Sequence, residues 1–209
     1  MTQAFGGLTA SWGSSSRCRY CGSRLEHRGN HEPPAVSMID GTLLNAGKKE
    51  PLNLKKWPTP SGCGPLFSCA RPGRGTSGRS EAQINDEILH RWVQNLPQAS
   101  PLHIVSLLGK KADRPTANGP SEFVYYPFRS CEDASDSRPT FQEWLNRNGS
   151  THIVHEFPTI DKLPLKPTNT AHAAIACVRG LLKRGLAVLV VDSGGVQRTG
   201  ELCRRVLSN

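Results

Sequence analysis

The chain has 209 residues and a formal net charge of +9, so it is long enough to bury a core without disulfides or a structural metal. Its longest uninterrupted apolar stretch, residues 186–191, is far shorter than the roughly 20 residues that cross a bilayer. The 7 cysteines are scattered, and the first residues lack the charged start and apolar stretch of a signal peptide. These features exclude a membrane span and predict a cytoplasmic protein with reduced thiols.

The front part of the chain, residues 1–80, differs from the rest in charge, in amino-acid composition and in hydrophobic patterning. It holds 11 Lys+Arg against 4 Asp+Glu, whereas residues 81–209 hold 15 against 13. Glycine, proline and serine interrupt it throughout, and no hydrophobic period is sustained. We therefore predict a mostly disordered basic arm over residues 1–80 and a folded domain over residues 81–209.

The arm contains a candidate zinc site. Its ligands would be Cys18, Cys21, His27 and His31. A CxxC pair followed by imidazoles suits tetrahedral zinc, although the gap between the halves leaves room for a small knuckle only. Cys63 or Cys69 could replace one histidine, the residues could be unliganded, and translation could begin at Met38, which would remove the candidate ligands.

The arm is also a candidate for binding nucleic acid. Its cations are Arg17, Arg19, Arg24, Arg28, Lys48, Lys49, Lys55, Lys56, Arg71, Arg74 and Arg79. Aromatic side chains at Tyr20, Trp57 and Phe67 are interspersed among these cations. This combination suits contacts to phosphates and stacking on bases, although such charge runs also occur as solvated tails.

Regular elements begin at residue 81. Apolar residues spaced by three and four predict a helix over 81–96, with Ser80 as its N-cap and Pro97 as its stop. The runs at 102–108 and 122–128 are rich in β-branched and aromatic residues and predict strands.

The second half of the domain continues the alternation. The segment 138–148 predicts a helix, 151–157 a strand, and 168–185 an amphipathic helix that ends at Gly185. A strand over 186–192 and a helix over 199–207 follow, the helix with Leu202, Val206 and Cys203 facing inward. Because the strand at 186–191 is apolar on both faces, the pattern predicts an α/β fold with a mainly parallel central sheet flanked by helices.

The stretch VDSGGVQRTG, residues 191–200, joins the last strand to the last helix. A glycine bend at a helix N-terminus points several N–H groups into one concavity, and an arginine there adds a fork of donors, so the stretch suits an anion. Neither GxGxxG nor GxxxxGK[ST] fits, because the glycines fall at 194, 195 and 200 and Glu201 follows.

The stretch resembles the phosphate loop of the cysteine-based protein tyrosine and dual-specificity phosphatases, H-C-x5-R-[ST], with Asp192 at the cysteine position. The resemblance implies that phosphate would be bound by Ser193, Gly194, Gly195, Val196, Gln197, Arg198 and Thr199. It also implies a tyrosine-phosphatase-like fold that normally continues with further helices, so this chain would be truncated at its C-terminus.

A second motif adds to the resemblance. Phe157, Pro158, Asp161 and Pro164 match the loop that carries the general acid in this superfamily, 31 positions before Asp192. The resemblance thus assigns Asp161 to the general-acid position and Arg198 to the phosphate-binding arginine. The alternative interpretation is a plain turn, in which Asp192 and Ser193 bond local N–H groups and Arg198 pairs with Asp161 or Asp192.

The residue at the nucleophile position decides the expected activity. A carboxylate cannot replace the thiolate that attacks phosphorus, and it would repel an incoming phosphate dianion. The sequence therefore predicts a silent phosphatase-like domain, a pseudophosphatase without a cofactor, that binds a phosphorylated protein or another protein partner, or weakly an anion. Two alternatives stay open, namely an active phosphatase that uses an atypical residue and a basic zinc-knuckle protein that binds nucleic acid.

Overall fold

The computed structural model describes residues 40–44, 51–74, 84–109, 122–160, 164–165 and 167–208. Its elements in chain order are strands β1 (Thr42–Leu43), β2 (Lys55–Trp57) and β3 (Leu66–Ala70), helix α1 (Asp86–Gln94), strand β4 (His103–Ser106), helix α2 (Phe141–Arg147), strand β5 (Ile153–Glu156), helix α3 (Asn169–Lys183), strand β6 (Val188–Asp192) and helix α4 (Gln197–Ser208). Within these ranges, every helix is too short or too polar to cross a bilayer.

The six strands form one sheet in the order β1-β2-β3-β6-β4-β5. Strands β3, β6, β4 and β5 are parallel, while β1 and β2 extend the sheet as antiparallel neighbours. This confirms the α/β class and a mostly parallel sheet flanked by helices. Because parallel strands end at the same edge, the segments that follow β3, β4, β5 and β6 meet at that edge.

Strand β6 lies inside the sheet and is buried along its whole length. Leu189 and Val191 belong to a core cluster that includes residues of α1 and α2, whereas Val188 and Val190 belong to a second cluster with α3 and α4. Helices thus cover both faces, which is why this strand reads as a continuous apolar run.

The predicted arm over residues 1–80 does not hold for residues 51–74. Strand β3 is buried at all five positions and pairs with β6 along its length. Trp57 of β2 is 2% exposed and donates its indole N–H to Ser68 Oγ at 2.9 Å. A strand this short shows no period of its own, because its stability comes from pairing with a strand more than a hundred residues later. Residues 1–39 lie outside the described residues.

The predicted strand at 122–128 is also wrong. Residues Glu122–Tyr125 form a short 3-10 helix, and the aromatic side chains enter the core. The Tyr126 and Phe128 rings stack at 4.5 Å, and Arg138 donates to the carbonyls of Phe123 at 3.0 Å and Tyr126 at 2.5 Å. Burial of aromatic surface and an arginine that satisfies the carbonyls replace the sheet partners that the strand prediction assumed.

The four predicted helices are all present in the structure, with different boundaries. Helix α1 begins after Asn85, whose side chain accepts from Ile88 N, whereas Ser80 lies outside the described residues. Gly185 follows α3 with a φ of 75°, the left-handed conformation that a glycine ending a helix commonly adopts, as predicted. Helix α4 begins at Gln197, two residues earlier than predicted, and buries Leu202, Cys203 and Val206 as predicted.

Candidate functional site

Residues 192–199 connect β6 to α4 at the carboxyl edge of the parallel strands. Gly195 has a φ of 66°, and a Cβ atom at this position would lie 2.1 Å from the backbone nitrogen of Ala70. Only glycine fits both the left-handed backbone and the contact with β3. The bend is therefore seated directly on the end of the neighbouring strand.

The loop N–H groups converge on the side chain of Asp192. The carboxylate accepts from Gly194 N at 2.9 Å and from Gly195 N through Oδ1, and from Thr199 N at 2.9 Å through Oδ2. Asp192 is 2% exposed, so these bonds take the place of water around a buried charge. The third donor belongs to the first turn of α4, whose dipole is positive at this end.

Two buried thiols lie close enough to Asp192 for its charge to act on them. Burial raises the pKa of Cys69 on β3 well above its usual value, and the negative charge of Asp192 raises it further. The pKa of Cys203 on α4 is raised by the same two causes, in the same order. Both cysteines are therefore protonated near neutral pH and poor nucleophiles.

Arg198 is 3% exposed and links three elements. Its Nη1 donates to the carbonyl of Leu107, just after β4, at 2.7 Å and to Thr159 Oγ1, in the segment after β5, at 3.1 Å. Thr159 in turn donates its hydroxyl to the same carbonyl at 2.9 Å. The guanidinium thus ties the loop to the segments that follow β4 and β5.

Two residues from the front part of the chain, neither of them predicted as part of the site, donate hydrogen bonds to the loop. Asn53 Nδ2 donates to the carbonyl of Gly194 at 2.7 Å, and Arg71 N donates to the carbonyl of Asp192 at 2.8 Å. Arg71 is 2% exposed, and its guanidinium donates to the Tyr126 hydroxyl at 3.0 Å. Neither position carries a motif: Arg71 directly follows β3, which pairs with β6, and Asn53 lies in the turn before β2.

The remaining predicted loop residues differ in exposure. Ser193 is half-buried, and Val196 and Gln197 are exposed. The Thr199 hydroxyl is buried and has no hydrogen-bond partner among the described residues. Asp161, which only the sequence resemblance assigns to a general-acid position, lies outside the described residues, although Thr159 and Ile160 directly before it are placed.

The candidate zinc ligands Cys18, Cys21, His27 and His31 lie outside the described residues as well. Within the described ranges, His, Cys, Asp and Glu side chains form no group of three or more that could hold a metal ion. Zinc binding by the arm stays a prediction, as does binding of nucleic acid.

Comparison of the chain with protein-family models, with curated proteins and with solved structures finds no match.

Proposed function

We propose that residues 51–208 contain a phosphatase-like domain without phosphatase activity, in which the carboxylate of Asp192 fills the anion site of its own loop. The observation that carries this proposal is the convergence of the Gly194, Gly195 and Thr199 N–H groups on that carboxylate. In the phosphatases that the loop resembles, such donors serve a thiolate and a phosphate. Here they bind an anion that belongs to the chain.

The Thr199 bond favours this interpretation over a plain turn. An aspartate that only shapes a turn bonds N–H groups two or three residues ahead, as Asp192 does with Gly194 and Gly195. The bond to Thr199, seven residues ahead, closes the loop around the carboxylate and brings the N-terminus of α4 against it. That arrangement is typical of an anion site at a helix N-terminus.

Among the described residues, the nucleophilic side chains in and beside the loop are poorly suited to replace the missing thiolate. Cys69 and Cys203 are buried with raised pKa values. Ser193 has no hydrogen bond to a general base among the described residues. The Asp192 carboxylate already engages the N–H groups of Gly194, Gly195 and Thr199, so these donors are not free to hold a phosphate for it to attack. The arrangement therefore supports a silent domain over an active one.

Exposed apolar residues beside the loop support a protein partner. Val196 in the loop is 54% exposed, and Ile160 is 40% exposed. Thr159, next to Ile160, contacts Arg198 of the loop at 3.1 Å, so the two segments are neighbours. Apolar side chains that project near a filled anion site favour contact with another protein surface over capture of a phosphate.

The proposal is tested by hydrolysis of p-nitrophenyl phosphate with the full chain. We expect the natural chain to match the buffer rate, and Asp192→Cys to release nitrophenol and to form a cysteinyl phosphate detectable by mass spectrometry. The same N–H groups would then stabilise a thiolate. Aryl phosphate is chosen because its leaving group needs little protonation, so the outcome does not depend on Asp161.

Two control variants make the result specific. Asp192→Ser removes the carboxylate without supplying a thiolate, and Asp133→Cys adds a thiol at an exposed position outside the loop. Both should stay at the buffer rate. Turnover by the natural chain that disappears in Asp192→Ser would show that this aspartate works in catalysis, and would overturn the proposal.

A further inference from the structure

The turn between β1 and β2 holds one residue in an unusual backbone conformation. Asn53 has a φ of 56°, in the left-handed region that side chains other than glycine, asparagine and aspartate rarely adopt. Its neighbours are fixed by backbone hydrogen bonds, since Leu54 O accepts from Leu44 N at 2.7 Å and Leu52 O accepts from Ala70 N at 2.8 Å. The Asn53 side chain is thus presented from a turn that is anchored to β1 and β3.

That side chain reaches the anion loop. Asn53 Nδ2 donates to the carbonyl oxygen of Gly194 at 2.7 Å, across 141 positions of sequence. The N–H of the same peptide unit belongs to Gly195 and donates to Asp192 Oδ1. Because a trans peptide is planar, its C=O and N–H point in opposite directions. Fixing the oxygen on Asn53 therefore aims the N–H at the carboxylate.

We infer that Asn53 is a positioning residue of the anion loop, which sets the orientation of the 194–195 peptide. The inference rests on the proposed function for its meaning, because it names the residue that keeps the anion site closed on Asp192. Asn53 contacts neither a substrate nor the carboxylate, and acts only through the peptide that it holds.

The opposite orientation of this peptide is disfavoured at both ends. A flipped peptide would set the Gly194 carbonyl against the Asp192 carboxylate, two acceptors, and would aim the Gly195 N–H at Asn53 Nδ2, so that the Asn53 amide would have to turn over to accept it. The residues are suited to the flip, since Gly194 has open space around it and Gly195 accepts a wide range of φ. With glycine on both sides, the orientation of this peptide depends on its hydrogen-bond partners, Asn53 and Asp192.

The experiment measures the Gly195 amide in the ¹⁵N-labelled full chain, by hydrogen exchange and ¹H chemical shift. Asn53→Asp replaces the donor by an acceptor and favours the flip. We expect the exchange protection of Gly195 to fall about tenfold or more, as loss of a charge-assisted bond implies. The amide of Thr199, which bonds the other carboxylate oxygen, should change by less than about twofold.

A second variant guards against misfolding of the first. Asn53→Gly keeps the left-handed backbone and removes the amide, so Gly195 should lose protection relative to Thr199 here too, by a smaller factor. Asn148→Asp is the matched control, because the Asn148 amide donates to the Trp144 carbonyl at 2.8 Å at the end of α2. It should leave the ratio of Gly195 to Thr199 protection unchanged.

An unchanged ratio of Gly195 to Thr199 protection in both Asn53 variants would overturn the inference. Asn53 would then only connect its turn to the loop, without setting the orientation of the peptide. The readout requires neither catalysis nor anion binding. If the natural chain hydrolyses the aryl phosphate while Gly195 responds as expected, the silent assignment fails and the role of Asn53 stands. If the chain is silent and Gly195 does not respond, the silent assignment stands and the role of Asn53 fails.

Discussion

Replacement of Gly195 by alanine tests whether the loop is seated on the end of β3. Gly195 combines two constraints, a φ of 66° and a Cβ position 2.1 Å from Ala70 N and 2.3 Å from the carbonyl carbon of Cys69. Both neighbouring atoms belong to the backbone of a buried strand, so they cannot move aside as a flexible side chain would. Either the loop or the strand must shift.

The two constraints can be separated with glycines elsewhere in the chain. Gly185 has a φ of 75°, and a Cβ atom there would meet nothing within 4 Å, so its replacement by alanine costs only the left-handed backbone, about 1 kcal/mol after the gain from a stiffer unfolded chain. Displacing packed backbone adds roughly 1–3 kcal/mol. We therefore expect Gly195→Ala to cost about 2–4 kcal/mol in the free energy of unfolding.

Urea denaturation of the full-length variants measures both costs, provided that the slope of the transition is unchanged. Gly64→Ala serves as a third variant, since its Cβ would lie 2.0 Å from the carbonyl oxygen of Leu186 and it isolates the steric cost. If Gly195→Ala and Gly185→Ala are destabilised equally, the loop does not lie against β3, and the geometry of the anion site is wrong.

Three further predictions concern charge and hydrogen bonds. His103 Nδ1 and His155 Nε2 lie 3.0 Å apart, and burial, followed by the charges of neighbouring cations, lowers the pKa of both from 6.5. The unfolded chain then binds more protons than the folded one below about pH 6.5, so the free energy of unfolding falls as pH falls through that value. His155→Gln should flatten this dependence in thermal melts from roughly pH 8 to pH 5, whereas exposed His172→Gln should not. Asp192→Asn is isosteric but sets an amide NH₂ against a loop N–H, and should lower the free energy of unfolding by about 2–3 kcal/mol in urea; a value equal to the natural chain would contradict the carboxylate bonds. Thr159→Val removes a hydroxyl that donates to the Leu107 carbonyl at 2.9 Å and accepts from Arg198 at 3.1 Å. We expect the free energy of unfolding in urea to fall by about 1 kcal/mol.

The elements that could be predicted from sequence are those whose signal is local. Helix α3 repeats its apolar residues at helical spacing and ends at Gly185, and β6 is an apolar run bounded by a glycine bend. Strand β3 could not be predicted in this way, because five residues with no period become a strand only beside β6. The segment 122–128 shows the converse, since aromatic residues with strand propensity were buried by packing and by Arg138 instead.

In the candidate site too, the features with a local sequence signal could be predicted and the distant contacts could not. The order of aspartate, two glycines, arginine and threonine indicates a loop that gathers N–H groups, and in the structure the Thr199 N–H donates to the Asp192 carboxylate. The partners of the loop come from elsewhere in the sequence. Asn53 lies in a region of low regularity, and the carbonyl that Arg198 binds belongs to Leu107, which carries no chemical signature at all. Every residue has a backbone carbonyl, so a contact to that group cannot be inferred from the type of residue that carries it.

The central claim is that the Asp192 carboxylate occupies the anion site, and binding of inorganic tungstate, a phosphate mimic, tests it most directly. Titration calorimetry of the full chain should show no saturable binding to the natural protein up to roughly 10 mM. Asp192→Ser should bind tungstate with a Kd at or below about 1 mM, displaced by phosphate and lost when Arg198→Met is added. Equal affinity of the natural chain and Asp192→Ser would contradict the account, because it would place the anion somewhere other than the loop that Asp192 fills.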